Sequence, residues 1–589
     1  MDRFSKSLAD FPGFPVPDQC LRSHTVNRLI DMEMNYGPDD LDCSEDRHSR
    51  PLNGEQQIAY DMVLHSVYTN EGKCFFVDGF GGTGKTFLWR AICEQLRFEK
   101  KIVLCVASSG IAALLMVGGR TAHSRFHIPL DGDIKSTCNI EQGSEVAELI
   151  LNASLIIWDE APMAHKHNIE ALDRTLRDIF RVKHVDSELK PFGATCNIEQ
   201  GSEVAELILN ASLIIWDEAP MAHKHNIEAL DRTLRDIFRV KHVDSELKPF
   251  GGMTIVFGGD FRQTLPIITK GTQTEIVNSS IKRSYLWRSM TVLKLTENMR
   301  LKLPHSEASA RLAISNFSKW LLEIGDGTNS NIFGESIIPI PLHICVSRRS
   351  DPIPDIVAEI YGQLLSTENM STYLVERAIL APHNDTVAAI NNYVLGLFPG
   401  EEVSYFSSDS LEIDANNQHV EEGDYTVEFL NSLKIGNFPE HELKLKLGCH
   451  VILLRNLDQS TGLCNGTRMI VKRLGKWFIE VQILTGTHVG DTVFLPRLSL
   501  SVHYKSLNFT LVRRQYPIAL SYAMTINKSQ GQTLNHVGIC LQRQVFSHGQ
   551  LYVAMSRVTS ERGLKILSCD SQGKPVKTMQ NIVFIEIFE

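Results

Sequence analysis

Short apolar runs alternate with helix-forming stretches along most of the chain. Largely apolar runs stand at Cys74–Val77, Ile102–Ala107 and Thr254–Gly258. Runs of this length without polar alternation are typical of strands that are buried on both faces of a parallel sheet. The stretch from Leu52 onward instead spaces its apolar residues as one face of a helix does. This alternation predicts an α/β fold.

The pattern changes between about residues 440 and 515, where short runs are separated by glycine, asparagine and aspartate. From Cys449–Leu454, Thr467–Val471, Trp477–Ile483 and Thr492–Leu495 we predict a small β-barrel that is inserted into a second α/β domain. Residues 1–48 show little periodicity and contain Pro-Gly, Pro-Asp and acidic runs. We therefore predict a lightly ordered tail there.

The chain contains a literal internal copy. Residues Thr137–Gly193 recur letter for letter as Thr195–Gly251. Structural repeats diverge, and stacked arrays need three or more units, so we interpret the copy as a recent tandem duplication or an assembly error. Each copy contains L-I-I-W-D-E-A-P-M, once at Leu155–Met163 and once at Leu213–Met221. Any chemistry of that segment therefore has two candidate positions.

Residues Gly79–Thr86 read G-F-G-G-T-G-K-T, which completes the G-x-x-x-x-G-K-[ST] pattern of a phosphate loop. An apolar run precedes the loop and helix formers follow it. The glycines let backbone N–H groups face one centre, Lys85 reaches the β/γ-phosphates, and the Thr86 hydroxyl can ligate Mg²⁺. The sequence therefore predicts a site for ATP and Mg²⁺. Its residues are Gln56, placed upstream to read adenine, and Gly79, Gly81, Gly82, Thr83, Gly84, Lys85 and Thr86.

An Asp-Glu pair ends each copy of the duplicated strand, where a phosphate-loop enzyme holds Mg²⁺ and orients the attacking water. We favour Asp217 and Glu218, because the second copy runs without interruption into M-T-I-V-F-G-G-D-F-R-Q. The first copy would then be an insertion in a loop, where extra length costs little. Asp159 and Glu160 stay candidates, since the first copy keeps the native preceding segment. The predicted metal ligands are Thr86 with Asp217 or Asp159.

Polar residues also follow two other predicted strands. G-G-D-F-R-Q-T-L-P places Asp260 and Gln263 beside the nucleotide edge, where glutamine is suited to sense a γ-phosphate without carrying charge. After Ile102–Ala107 come S-S-G-I-A-A and T-A-H-S-R-F-H-I-P. These hydroxyls and glycines either contact a phosphodiester backbone or merely turn the chain.

Composition limits the class of protein. The chain has 589 residues, more than one core organises, and its 43% hydrophobic and 22% charged residues are typical of a soluble globular protein. We expect no membrane partner and no signal peptide. Its 12 cysteines form no C-x-x-C pair, so we expect neither a metal cluster nor a disulfide-linked partner. We therefore expect the protein to be in a reducing compartment. The net charge of −10 does not exclude a nucleic-acid partner, because basic residues concentrate locally along the chain.

In chain order, these motifs resemble those of the petite integration frequency (PIF) DNA helicases of superfamily one, including the helicase portion of Helitron-type transposons. The resemblance covers roughly residues 50–575. It rests on L-N-x-E-Q, the phosphate loop, D-E-A-P-M, K-P-F-G-G with G-G-D-F-R-Q-x-L-P, L-T-E-N-M-R, T-I-N-K-S-Q-G-Q-T and V-A-M-S-R. It implies two recombinase-A-like P-loop domains that bind ATP in their cleft and single-stranded DNA across both, with a small inserted β-barrel.

The resemblance also implies roles for individual residues. Arg300 and Arg557 look like the arginines that reach across the cleft to the γ-phosphate. They would complete a catalytic set with Lys85, the Asp-Glu pair and Gln263. The implied DNA-binding residues are Ser108, Gly110, Thr121, His123, Phe261, Arg262, His383, Asn384, Thr525, Lys528, Ser529 and Gln530. For Phe261, core packing is the alternative to base stacking.

The expected domains are a tail (1–48), a first motor domain (49–275), a second motor domain in two parts (276–440 and 516–589) and the barrel (441–515). The expected function is ATP-dependent 5′-to-3′ unwinding of single-stranded and forked DNA. We expect roles in DNA repair, recombination or telomere maintenance, in the nucleus rather than the mitochondrion. Two alternatives stay open. One is a translocase or RNA-acting motor, and the other is an inactive nucleic-acid-binding remnant that the duplication has disabled.

Overall fold

The computed structural model of the protein describes residues 27–36, 51–108, 113, 116–128, 138, 140, 144–159, 211–239, 243–268, 270–302, 308–329, 337–346, 351–364, 370–412, 425–436, 438–458, 461–486, 488–504 and 509–589. Among these residues, no helix is both long enough and apolar enough to cross a bilayer.

A parallel sheet forms the centre of the first lobe, which confirms the predicted α/β class. Its strands are β1 (Cys74–Gly79), β2 (Ile102–Ala107), β3 (Arg120–Thr121), β4 (Ala153–Asp159), β5 (Leu213–Trp216), β6 (Thr254–Gly259) and β7 (Met290–Leu295). Their order across the sheet is β3-β2-β4-β5-β6-β1-β7, and every neighbouring pair is parallel. The helices of this part are α1 (Arg28–Met34), α2 (Gly54–Thr69), α3 (Lys85–Phe98), α4 (Ala122–Arg125), α5 (Glu145–Leu151), α6 (Lys224–Phe238) and α7 (Gln273–Ser279).

Helices cover both faces of this sheet, so its strands need apolar residues on both sides. Phe75 and Val77 of β1 pack with Trp89 of α3 on one face. Phe76, between them, packs with Phe257 and Phe261 on the other. Side chains alternate between faces along a strand, so the uninterrupted run C-F-F-V supplies both cores.

Both copies of the duplicated strand belong to this sheet. β4 pairs with β5 from Leu155↔Leu213 to Trp158↔Trp216, and β4 lies between β2 and β5. The expectation that the first copy is a loop insertion is therefore wrong for its strand. The physical reason is that two identical L-I-I-W runs have the same apolar faces, and pairing side by side buries both.

The first lobe extends beyond the predicted boundary at residue 275. β7 pairs with β1 along its whole length, and Ile281 and Leu286 are buried in the same core. Phe584 and Ile587 also pack into this core, although they follow the second lobe in sequence. The boundary of the first lobe is therefore determined by strand pairing and packing between segments that are distant in sequence, and not by a change in composition.

The predicted tail includes an ordered helix. Glu33 of α1 is 5% exposed and contacts Arg97 of α3 at 3.7 Å and Arg125 of α4 at 2.5 Å. The Tyr36 ring lies 4.4 Å from the Arg97 guanidinium carbon. Residues 27–36 therefore pack onto the first lobe, because their carboxylate pairs with two buried arginines.

The second lobe is built on another sheet and is interrupted by a mostly β-stranded segment. The first part of this lobe contains α8 (Ala308–Gly325), β8 (Ile337–Pro339), α9 (Pro352–Tyr361), α10 (Met370–Val375), β9 (Arg377–Ala381) and α11 (Asn384–Leu397). The interrupting segment contains β10 (Val403–Phe406), β11 (Ser408–Glu412), α12 (Val427–Ser432), β12 (Glu442–Leu445), β13 (His450–Leu453), β14 (Arg468–Leu474), β15 (Phe478–Ile483), β16 (Thr492–Pro496), β17 (Leu498–Tyr504), β18 (Phe509–Gln515) and β19 (Ile518–Leu520). The lobe then resumes with β20 (Ala523–Thr525), β21 (His536–Leu541), α13 (Gln550–Met555), β22 (Leu564–Cys569), β23 (Pro575–Val576) and β24 (Thr578–Gln580).

The sheet of the second lobe has the order β20-β9-β21-β22-β23, in which all pairs but the last are parallel. The inserted segment contains the antiparallel sheet β16-β15-β14-β13-β19 and two smaller sheets. The predicted start of the insertion at residue 441 lies too late, because β10 pairs with β12 and β11 pairs with β18. We refer to residues 403–520 as the inserted β-domain.

Candidate functional site

The phosphate loop lies between β1 and α3, at the edge of the sheet where the parallel strands end. Gly82 and Gly84 have φ values of 103° and 83°, which residues with a Cβ rarely adopt. The Lys85 ammonium donates a hydrogen bond to the Gly79 carbonyl oxygen. The loop therefore curls around the start of α3, as a phosphate cradle requires.

Gln56 supports this loop from behind. It is fully buried in a capping box with Asn53 at the start of α2, and its Nε2 donates to the Thr83 carbonyl oxygen at 2.9 Å. A Cβ at Gly84 would lie 2.5 Å from that nitrogen. The amide therefore fixes the loop, and its predicted contact with adenine stays a prediction.

Asp217 lies beside the loop, held between α3 and β6. Its Oδ2 accepts from Trp89 Nε1 at 2.7 Å, and its Oδ1 accepts from the Glu218 N–H at 2.9 Å. A Cβ at Gly258 would lie 2.4 Å from Oδ1. The first glycine of G-G-D therefore makes room for this carboxylate, and the indole fixes its direction.

The charges around Lys85 form a compact cluster. Burial alone would lower the pKa of Lys85, but Asp217, Glu218, Asp260 and Asp78 together outweigh burial and raise it. Burial raises the pKa of Glu218 to about 7, with Asp217 adding to the rise and Lys85 opposing it. Glu218 also has a left-handed backbone, with φ 55°. A carboxylate with a pKa near neutrality can accept a proton from water at physiological pH.

The first copy of the pair lies farther from the loop. Asp159 ends β4, one strand beyond β5, and its carbonyl oxygen accepts from the Ser108 N–H at 3.1 Å. Strands in a sheet are ~4.8 Å apart, so Asp159 is displaced from Lys85 by about that distance relative to Asp217. Glu160 lies outside the described residues. The structure thus brings Asp217 and Glu218, the favoured pair, together with Lys85.

Three side chains of the second lobe contact the first lobe next to this cluster. The Tyr552 hydroxyl donates to Asp260 Oδ2 at 2.8 Å. Gln530 Nε2 lies 3.3 Å from Gln263 Oε1 and 3.0 Å from Thr264 Oγ1. His548 Nε2 lies 2.8 Å from the Phe261 carbonyl oxygen. All these side chains except that of Phe261 are polar and nearly fully buried, so the nucleotide edge and the second lobe form one polar network.

The two predicted arginines differ in what surrounds them. Arg557 is 7% exposed and donates within its own lobe, to the carbonyl oxygens of Val553, Ser529 and Gln532. It still lies close enough to Glu218 to lower the pKa of that carboxyl. Arg300 lies in a 3-10 turn at Met299–Lys302, and the Met299 N–H donates to the Gly82 carbonyl oxygen at 2.9 Å. The backbone at Arg300 is therefore tied to the phosphate loop of its own lobe.

Some predicted DNA-binding residues are buried. Phe261 is 4% exposed, and its ring stacks on Phe76 with centroids 5.0 Å apart. Of the two roles considered for Phe261, core packing rather than base stacking fits this position. Thr121 caps α4, and Ser529 donates to a carbonyl of its own turn. Gln530 belongs to the network between the lobes. In this conformation the side chains of Phe261, Thr121, Ser529 and Gln530 are occupied by contacts within the protein.

Other predicted DNA-binding residues keep part of their surface open to solvent. Asn384 and Lys528 are exposed, whereas His383, Thr525, Ser108 and His123 are half-buried. Burial, with a smaller effect of Arg455, lowers the pKa of His123 to about 4, so its ring is neutral. Arg262 pairs with Asp326 at 2.7 Å, and Gly110 lies outside the described residues.

Sequence reasoning missed several residues of the site. Trp89, which orients Asp217, stands in an ordinary helical pattern, and Tyr552 and His548 carry no local signal. Phe546 is 58% exposed and lies 5.0 Å from the His383 ring. An aromatic residue before a Ser-His-Gly turn could have been noted as a base-stacking candidate.

Three family models match the chain. The model described as PIF1-like helicase matches residues 51–195 and 194–333, so its two matches meet where the second copy begins. The model of the 2B domain of DNA helicase Pif1 matches residues 428–474, and one described as Helicase matches residues 495–581. Together they cover most of both lobes and part of the inserted β-domain.

Similar proteins include the ATP-dependent DNA helicase PIF1 of Rattus norvegicus, 27% identical over 94% of this chain and 67% of that protein. The protein of the same name in Homo sapiens is 26% identical over 89% of this chain and 62% of that protein. The chain thus spans about two thirds of the length of these relatives. The crystal structure of Pif1 helicase from Candida albicans has a TM-score of 0.52 and 21% identity, covering 92% of this chain and 98% of that one, and supports the fold.

Proposed function

We propose that this chain, whose similarities are those of a PIF1-type helicase, couples ATP hydrolysis to movement along single-stranded DNA and to the separation of forked duplexes. One observation supports this most strongly. The side chains that follow β6 reach the phosphate-loop cluster on one side and the second lobe on the other. Such an arrangement lets the state of a nucleotide change the contact between the lobes.

The residues present fit ATP and Mg²⁺. The loop offers backbone N–H groups at the start of α3, Lys85 supplies a cation, and Thr86 and Asp217 supply oxygen ligands for the metal. Bound Mg²⁺ would neutralise charge on the β- and γ-phosphates. Trp89 fixes the orientation of the Asp217 carboxylate before a metal would bind.

Within this site, Glu218 accepts the proton of the attacking water, because its raised pKa matches that task. Gln263 senses the γ-phosphate. Arg557 leaves its carbonyl partners when the lobes close and stabilises charge in the transition state, and Arg300 does so from the loop side. Asp159 is a bystander in this scheme.

Single-stranded DNA lies across both lobes in this proposal. Hydroxyl, amide and ammonium groups at Ser108, Asn384, Thr525 and Lys528, with the neutral imidazole of His123, contact the phosphodiester backbone. The rings of His383 and Phe546 stack on bases. Closure of the cleft then draws the two groups of contacts together, and hydrolysis releases them. We propose 5′-to-3′ movement and roles in repair, recombination or telomere maintenance, in the nucleus rather than the mitochondrion.

The test is ATP hydrolysis by the full chain with single-stranded DNA, with RNA of the same sequence and without nucleic acid. We expect stimulation by DNA above that by RNA, and separation of a fork that has a 5′ tail but not of one with a 3′ tail. Lys85→Ala is the control that removes turnover. Equal stimulation by RNA would favour an RNA-acting motor, and strand binding without hydrolysis would favour an inactive remnant.

A further inference from the structure

The hairpin between β14 and β15 displays aromatic rings among cations. Trp477 in its turn is 76% exposed, and Phe494 on the neighbouring strand β16 is 57% exposed. Rings of this size are mostly buried in proteins, and a group of exposed ones marks an interaction surface. We call this group the hairpin surface and define it as Lys472, Arg473, Lys476, Trp477, Phe478 and Phe494.

Strand register brings Arg473, Phe478 and Phe494 of this surface together. Arg473 pairs with Glu480, and Glu480 pairs with Phe494 on the other side, so adjacent strands share one face here. The Arg473 guanidinium lies 4.9 Å from the Phe478 ring centroid and 2.9 Å from Glu480. The Lys476 ammonium lies 5.3 Å from the Trp477 ring. Two cations therefore stand beside the rings, with the exposed Lys472 next to Arg473 in the chain and the Glu480 carboxylate paired with Arg473.

The hairpin surface is remote from the cleft. β14 begins at Arg468, whose guanidinium donates to the Val375 carbonyl oxygen and to Gln532 Oε1, both in the second lobe and both at 3.0 Å. The strand then runs outward to Leu474 before the turn. At ~3.3 Å per residue, the turn lies ~20 Å from that contact. A ligand on this surface is thus beyond the residues proposed to bind DNA within the lobes.

We propose that the hairpin surface is a second binding site for single-stranded DNA, a proposal that rests on the function proposed above. Trp477 and Phe494 stack on bases of any sequence, and Lys472 and Lys476 meet the flanking phosphates. The charge of this surface is opposite to that of a phosphodiester strand, although the whole chain is acidic. An acidic peptide would also meet the cations, but a nucleic-acid strand also offers a stacking partner for every ring.

The experiment compares full-length Trp477→Ala, Trp477→Phe and Phe98→Ala with the unmodified chain. Phe98 is 75% exposed at the end of α3 and is the matched control for loss of an exposed ring. Binding is measured by fluorescence anisotropy with oligothymidines from below to above a site size of ~4–16 nucleotides. We expect Trp477→Ala to weaken binding of the longer strands about tenfold, since stacking on one ring contributes that much. Trp477→Phe and Phe98→Ala should keep the affinity, and hydrolysis stimulated by the shortest active strand should be unchanged.

A direct readout uses a long strand with photoreactive thymines, which should crosslink to the peptide that contains Trp477. Equal binding by Trp477→Ala and the unmodified chain at every length, without that crosslink, would overturn the proposal. Equal loss on short and long strands would assign the surface to the motor track and also overturn a separate site. Failure of the proposed function can be told apart from failure of this proposal. If the unmodified chain crosslinks at Trp477 but hydrolyses no ATP, the proposed function fails and the hairpin surface still binds DNA.

Discussion

The hydroxyl of Tyr552 in the second lobe donates to Asp260 Oδ2 in the first lobe at 2.8 Å, and the two side chains are 3% and 0% exposed. Asp260 follows β6, the neighbour of the strand that leads into the phosphate loop. Tyr552 lies on α13, which ends at Met555. Arg557 follows two residues after the end of that helix. One buried hydrogen bond therefore links the nucleotide edge to the helix that leads to the candidate arginine.

Tyr552→Phe should weaken coupling between DNA and hydrolysis. It leaves the buried Asp260 carboxylate short of one donor, which costs ~1–3 kcal/mol. We expect the DNA-stimulated kcat to fall about tenfold, with little change in the KM for ATP. Tyr393→Phe, at a half-exposed tyrosine, should change neither quantity. Unaltered stimulation in Tyr552→Phe would mean that this bond is only structural.

The duplication offers a matched pair of variants. Asp217→Asn should lower kcat at least about 100-fold, because it removes the carboxylate charge that acts on Lys85 and whose orientation Trp89 fixes. Asp159→Asn changes the same residue in the same local sequence one strand farther away and should leave kcat nearly intact. Steady-state hydrolysis with saturating DNA measures both. The reverse result would assign the chemistry to the first copy.

The pKa of Glu218 predicts the pH dependence of turnover. Its folded-state pKa is raised to about 7, so the carboxylate that accepts a proton predominates only above that pH. We expect log kcat to rise with pH up to about 7 and then level off. A flat profile between pH 5.5 and 8, with the phosphate-loop lysine intact, would exclude Glu218 as the base.

The raised pKa of Glu218 also predicts that stability falls as the pH rises, whereas turnover increases. A carboxyl with a raised folded-state pKa binds more protons when folded, so its contribution to stability is present at low pH and lost as the pH rises through about 7. Glu218→Gln should therefore melt above the unmodified chain at pH 8 and equal to it near pH 4. Thermal unfolding without nucleotide measures the difference, and a gap that grows toward low pH would contradict it.

Glu33→Gln should destabilise the first lobe. It removes the charge that faces Arg97 and Arg125, which are both nearly fully buried. Breaking a buried pair from one side costs ~3–5 kcal/mol, because the remaining charges stay unpaired. Asp31→Asn, at an exposed position on the same helix, is the control and should cost less than ~0.5 kcal/mol. Chemical denaturation measures both, and equal values would show that α1 does not stabilise the lobe.

Removal of residues 137–194 joins Ser136 to Thr195 and leaves one copy of the repeat. β5 has the same residues as β4, so it can pair with β2 in the register that β4 now uses. We expect the shortened chain to fold and to keep its hydrolysis rate. Loss of a cooperative unfolding transition would show instead that the sheet requires the additional strand.

The parts of the site that the sequence predicted are those set by local chemistry. Gly79–Thr86 requires its glycines for backbone conformation, so its pattern is readable without a fold. The burial of Phe261 was not decidable, because the ring that covers it, Phe76, comes from a distant strand. The domain boundary at 275 failed for the same reason, since β7 is recognised as part of the first lobe only by its pairing with β1. Tyr552 and Trp89 needed the tertiary structure, because each acts on a carboxylate from another segment.

Phe584 and Ile587 fill the apolar interior of the first lobe, against residues such as Leu286. During synthesis, that interior stays open until the second lobe and the inserted β-domain have left the ribosome. A nascent chain thus exposes part of this apolar surface to the solvent through most of its translation, and the first lobe completes its packing only when synthesis ends.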